Sequence, residues 1–82
     1  MMAELNVGDV IEVDDGDYRY GMGRLIMRVT TIGNRQCTAD GDWVDLDGLD
    51  LRADGTQLGA QPRHAVVRVN ALRIRRGPQT RQ

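Results

Sequence analysis

Apolar and polar residues alternate with a period of two along most of the chain, as they do in strands that bury one face. No window of about 11 residues carries an apolar stripe at helical spacing. The first alternating segment is Val10–Val13, and the longest is residues 24–32, where Leu25 and Met27 share one face. Ile26 interrupts the polar face of the longer segment, so we expect that face to be partly covered. The pattern predicts a β protein.

The second half of the chain carries shorter alternating segments, separated by residues that form turns. Gly48 lies between two of these segments, and a glycine at such a place indicates a tight turn or a bulge. A single 3₁₀ turn over residues 70–72 is predicted to precede the last strand. The predicted strands of this half cover residues 43–47, 49–54, 64–69 and 73–75.

Five or six short strands without a helix predict an all-β fold, a small barrel of five to six strands that is closed or nearly closed. A chain of 82 residues forms one domain, which we expect at residues 1–76, followed by a frayed tail at residues 77–82. Phe is absent and Val, Leu, Ile, Met and Ala supply most apolar groups, so the core is expected to be thin and aliphatic. Trp43 is the largest apolar side chain in the chain.

Four short features occur in a characteristic order along residues 5–75. Gly8-Asp9-Val10 leads into the first strand, an acidic loop with tyrosines follows at residues 14–20, Gly41-Asp42-Trp43 opens a middle strand, and a single turn flanks the final strand. In this order the features resemble the SH3-like small β-barrel superfamily at the level of the fold. The resemblance implies a small barrel fold and no particular function. The turn before the last strand, residues 61–64, carries no aromatic residue, which argues against binding of polyproline.

An acidic pattern that ends in an aromatic occurs twice, as Asp-Gly-Asp-Tyr at residues 15–18 and Asp-Gly-Asp-Trp at residues 40–43. A calcium loop of the EF-hand type needs oxygen ligands at its first, third, fifth and twelfth positions. Counting from Asp40, the fifth position is Val44, and counting from Asp15, the twelfth is Ile26. The spacing does not fit a calcium loop of this type and predicts two tight turns, because Asp-Gly is a common turn pair; a weak divalent-ion site and a recognition role are the alternatives.

Charge is divided unevenly although the net charge is only -1. Residues 1–61 hold every acidic group, whereas residues 62–82 hold arginines and no acid. This basic end is a candidate nucleic-acid surface, yet a pI near 5.7 is low for such a protein. Pairing with the chain's own aspartates is the simpler interpretation. The candidate nucleic-acid residues are Arg63, Arg68, Arg73, Arg75 and Arg76.

Catalytic residue types are scarce. Cys37 is the single cysteine, His64 is the single histidine, and serine is absent, so we expect no enzyme, no cofactor and no metal centre. The lone cysteine and the lack of a signal-peptide pattern predict a cytoplasmic protein, and the absence of an apolar run near 20 residues predicts no membrane segment.

The leading hypothesis is a non-catalytic protein-binding or assembly module that uses the acidic loop (residues 14–20) with aromatic anchors beside it. Nucleic-acid binding through the basic end is the alternative. A third possibility is a homo-oligomer that joins the acidic body to the basic tail. The residues predicted to bind a partner protein are Asp14, Asp15, Asp17, Tyr18, Tyr20 and Trp43.

Overall fold

All strands lie in a single antiparallel sheet in this computed structural model, which describes residues 5–19 and 21–75. The all-β prediction is confirmed, with no helix among the described residues. The strand order across the sheet is β2-β5-β4-β3-β1-β6. The strands are β1 (Val10–Val13), β2 (Tyr18–Arg19), β3 (Leu25–Thr38), β4 (Gly41–Asp50), β5 (Arg63–Arg68) and β6 (Arg73–Arg75).

The sheet curls around one hydrophobic core, which gives a half-barrel. Tyr18 comes from the edge strand β2, whereas Ile11 and Val13 come from the opposite side of the sheet, yet all three belong to one buried cluster. Ile74 of the other edge strand packs against the same cluster. A flat sheet could not bring its two ends to one core, so the curvature follows from these contacts.

Gly48 does not end a strand, because β4 continues through it to Asp50. A Cβ atom at this position would overlap the Met27 side chain and a backbone carbonyl of β3, so the two strands approach closely here. The bulge is in the facing strand: Val29 pairs with Gly48 and Thr31 with Asp47, which leaves Thr30 as the extra residue.

The predicted strand at residues 49–54 is wrong beyond Asp50, since Leu51 forms only an isolated bridge with Gln57. A turn takes over at that point, with the Gly55 amide donating to the Arg52 carbonyl at 2.8 Å. The predicted strand at residues 64–69 is displaced by one residue and covers Arg63–Arg68.

β3 is longer than the alternating pattern of residues 24–32 predicts, because it extends to Thr38. The added part pairs with β4 from Arg35 onward, after a second register shift beyond Ile32. Every residue from Thr31 to Asp40 is exposed, so this hairpin has little contact with the core.

A single turn joins β5 to β6, as predicted. The Ala71 and Leu72 amides both donate to the Arg68 carbonyl, at 3.1 and 3.2 Å, so the turn over residues 69–71 combines the three-residue and four-residue spacings and is not a regular 3₁₀ turn. The predicted frayed tail at residues 77–82 lies outside the described residues. Within residues 5–19 and 21–75, no helix has the length and hydropathy that a membrane crossing requires.

Candidate functional site: two arginines on a buried tryptophan

Both Asp-Gly-Asp segments form turns. In the first, the Asp17 amide donates to the Asp14 carbonyl at 3.0 Å, and Gly16 has a φ of 95°. The second makes the tip of the β3–β4 hairpin, where Gly41 has a φ of 118°. Such positive φ values favour glycine. No group of His, Cys, Asp and Glu side chains in the described part of the chain is arranged to hold a metal ion.

Arg68, at the end of β5, connects the two turns. Its Nε lies 3.3 Å from the Asp17 carboxylate, and its Nη1 donates to the Asp40 carbonyl. The Arg68 amide also donates to the Asp17 carbonyl at 2.9 Å, and the next amide, of Val69, donates to the Asp42 carbonyl at 2.8 Å. Arg68 and Val69, at and just after the end of β5, therefore hold both Asp-Gly-Asp loops in place.

Trp43 lies on the face of the sheet opposite to the core. Its neighbour Val44 is in the core cluster and Trp43 is not, in keeping with the alternation of side chains along β4. The indole is nevertheless only 4% exposed. The guanidinium carbons of Arg19 and Arg68 lie 4.4 and 4.5 Å from the ring centroid, within the range of cation–π contacts. We call this group the arginine–tryptophan stack (Arg19, Trp43 and Arg68).

Burial limits what the predicted aromatic anchors can offer to a partner. Tyr18 is 6% exposed, belongs to the core, and donates its hydroxyl proton to the Gly23 carbonyl at 2.8 Å. Trp43 is covered by the two arginines. Tyr20 lies outside the described residues. Neither described ring presents an open aromatic surface, because the fold uses one inside the sheet and packs long side chains over the other.

The carboxylates of the acidic loop are engaged within the domain. Asp14 lies 3.2 Å from Arg73, and Asp15 accepts a bond from the Gly23 amide at 3.1 Å. Asp17 pairs with Arg68. These contacts explain the loop as a structural element, while binding of a partner through it stays a prediction.

The basic end is largely neutralised by the chain's own carboxylates. Arg63 lies 3.5 Å from Asp50, while Arg73 and Arg75 lie 3.8 and 3.6 Å from Glu12. Arg68 pairs with Asp17, as described above, and Arg76 lies outside the described residues. The simpler interpretation of the basic end therefore holds for these four arginines, and nucleic-acid binding stays a prediction.

Cys37 and His64 contact different carboxylates. The Cys37 Sγ lies 3.0 Å from Asp42, whose hydrogen bond and negative charge raise the pKa of the thiol above its ordinary value. His64 Nδ1 lies 3.0 Å from Asp47, on another part of the sheet. A raised pKa lowers the thiolate fraction, so Cys37 is a weak nucleophile at neutral pH.

A second surface is the outer edge of the long hairpin, which we call the β3 edge (residues 31–38). β1 pairs with β3 only as far as Arg28, and Val29 bonds to Gly8 and Asp9. Beyond that point no described strand pairs with the outer side of β3. Sequence reasoning missed this edge because its residues are mostly polar and do not alternate.

Sequence reasoning also did not assign Arg19 to any site. Arg19 follows the buried Tyr18 in a strand of two residues, and alternation alone would have placed it on the outer face.

The fold and the site define a small all-β domain with a half-barrel sheet. No protein-family model, curated protein or solved structure is similar enough to this chain to count as a match.

Proposed function

We propose that the chain is a non-catalytic protein-binding or assembly module of the SH3-like type, which accepts an extended strand of its partner at the β3 edge. The observation that carries the proposal is the exposure of every residue of this edge, with no described strand on its outer side. Unpaired strand edges of this length are templates for a strand from another chain.

The backbone of the edge supplies the binding groups. Residues 31–38 point alternate N–H and C=O groups outward, enough for roughly six to eight hydrogen bonds with an antiparallel partner strand. Each such bond contributes about 1 kcal/mol net. Side chains protect the edge only weakly, because Arg35 is its one charged residue and it contains no proline. The register shift between Ile32 and Arg35 twists the edge without closing it.

Three further observations support the assignment. β4 opens with Gly41-Asp42-Trp43, and a single turn precedes β6, as the SH3-like resemblance implies. The thiol of Cys37 is exposed and unpaired with another cysteine, which suits a reducing, cytoplasmic setting. The weak nucleophilicity of that thiol supports a role without catalysis.

The experiment compares three forms of the full chain. The double variant Ile32→Lys/Asn34→Lys adds two charges to the β3 edge, which is how natural edge strands avoid pairing. The double variant Met22→Lys/Leu58→Lys is the matched control, since it adds the same two charges at residues that are 89% and 52% exposed and lie outside every strand. Each immobilised form is used to capture proteins from a cell lysate, and each free form is measured by size-exclusion chromatography with light scattering.

We expect the unmodified chain and the control to retain the same partner, or to form the same oligomer, and the double variant to lose it. Identical capture and identical mass for all three forms would contradict the proposal. Loss by both variants would show that the effect is not specific to the β3 edge, and would also contradict it.

A further inference from the structure

Arg19 is a cation with no carboxylate partner in the described part of the chain. Its guanidinium packs over Trp43, and within residues 5–19 and 21–75 it forms no ion pair with a carboxylate. Arg68, on the same indole, is paired with Asp17 and bonded to the Asp40 carbonyl. The two arginines of the stack therefore differ in role. Arg68 makes contacts that stabilise the fold, whereas the charge of Arg19 is available to a ligand.

The indole N–H of Trp43 is a second group available to a ligand, because it is an unsatisfied hydrogen-bond donor. Nε1 is buried and has no hydrogen-bond acceptor among the described residues. A buried donor without an acceptor is destabilising, and most native structures avoid one. Arg19 is exposed and lies over the ring, so movement of its long side chain would uncover the part of the indole beneath it.

From these two observations we infer that the arginine–tryptophan stack is a binding site for a carboxylate group of an acidic peptide. The carboxylate accepts the hydrogen bond of the indole N–H and pairs with Arg19. Both donors belong to one contact, because the Arg19 guanidinium carbon lies 4.4 Å from the centroid of the Trp43 ring. The stack lies beside the β3 edge, since Trp43 pairs with Gln36, but the inference concerns side chains on the face of the sheet and does not depend on strand addition at the edge.

The surrounding charges favour a carboxylate over a phosphate. Arg68 is already paired, so a ligand meets one uncompensated positive charge, that of Arg19. Asp45 adds a negative charge on the same side of the sheet, because it is two residues from Trp43 along β4. A dianionic phosphate or the backbone of a nucleic acid would be repelled by this carboxylate more strongly than a single carboxylate, which is matched by one guanidinium.

The experiment uses the single indole N–H resonance of the protein, which comes from the one tryptophan in the chain. The chain, labelled with nitrogen-15, is titrated with a peptide that carries one carboxylate (acetylated and amidated Gly-Asp-Gly), with inorganic phosphate and with a short single-stranded oligonucleotide, all at constant ionic strength. The same titrations are repeated on Arg19→Ala, on Arg19→Gln and on the control Arg28→Ala. Arg28 is exposed and lies on β3, away from the stack.

We expect the peptide to shift the indole resonance in a saturable manner, and removal of the Arg19 charge to weaken binding by about tenfold or more. The control should bind as the unmodified chain does. An indole resonance that does not move, or that moves equally in the Arg19 variants, would overturn the inference. Stronger saturation by phosphate or by the oligonucleotide would overturn the assignment to a carboxylate. The Gln variant keeps the test valid if the Ala variant fails to fold.

Discussion

Replacing Arg68 with alanine should lower the free energy of unfolding, because this one side chain joins three separate parts of the structure. Its guanidinium packs on Trp43, pairs with the Asp17 carboxylate and donates to the Asp40 carbonyl. Alanine removes all three contacts and uncovers an indole that is only 4% exposed. The effect should therefore exceed that of removing an ordinary surface arginine.

The magnitude follows from the three contacts. A cation–π contact with a largely desolvated ring contributes about 1 to 2 kcal/mol. The Asp17 pair adds no more than about 1 kcal/mol, because its side chains are 30% and 36% exposed and water screens them. The hydrogen bond to the Asp40 carbonyl adds about 1 kcal/mol in a partly exposed setting. We expect Arg68→Ala to lower the free energy of unfolding by about 2 to 4 kcal/mol, with a fall in Tm of about 4 to 8 °C for each kcal/mol.

The assay is urea unfolding, followed by the fluorescence of Trp43 and independently by circular dichroism. Arg68→Lys is the chemical control, since lysine keeps the charge but lacks the planar fork that stacks and binds at once. Arg28→Ala controls for the loss of one charge. We expect the lysine variant to recover less than half of the loss, and the folded alanine variant to show a red-shifted emission.

An unfolding free energy for Arg68→Ala within about 0.5 kcal/mol of the unmodified chain, the range of ordinary surface substitutions, would refute this account of Arg68. Full recovery by lysine would refute the part of the argument that depends on stacking.

Three further predictions concern other parts of the fold. Gly48→Ala should lower the free energy of unfolding by about 2 to 3 kcal/mol, because the added methyl group would overlap β3. The control Gly59→Ala, whose methyl group would meet nothing within 4 Å, should leave the free energy of unfolding nearly unchanged, and urea unfolding measures both. Asp42→Asn should speed the reaction of Cys37 with a thiol reagent near pH 8, because the hydrogen bond and negative charge of Asp42 raise the thiol pKa; an unchanged rate would contradict this. The pKa of Asp54, followed by carbon-13 NMR, should lie below its ordinary value, because its carboxylate accepts a hydrogen bond from the Thr56 amide at 2.9 Å. The stabilisation from this bond should be present above about pH 4 and should be lost as the pH falls through the lowered folded-state pKa.

Sequence reasoning succeeded where a strand carries its own apolar pattern. β1 and β6 have the predicted bounds, because apolar residues alternate with polar ones up to each end. It failed in the second half of β3, where residues 33–38 contain no apolar alternation. Those residues are extended because β4 pairs with them, and a partner strand is not visible in the local pattern.

The site shows the same division between local and distant causes. The two Asp-Gly-Asp turns could be predicted, because glycine and aspartate specify turns within a few residues. The contact of Arg19 with Trp43 could not be predicted, because it depends on the pairing of Arg19 with Val66 in β5. That pairing places Arg19 over an indole which belongs to a third strand, and no spacing in the sequence encodes it.

The contacts of Arg68 with both turns also restrict how the sequence can change in evolution. Surface loops of small domains usually vary in length, since insertions there disturb few contacts. Here one guanidinium reaches both Asp17 and the Asp40 carbonyl, so an insertion in either turn would move one attachment point away from the other. We expect the lengths of the two turns to vary together or not at all, although both are at the surface. The repeated Asp-Gly-Asp would then persist as a matched pair, because each copy is fitted to the same arginine.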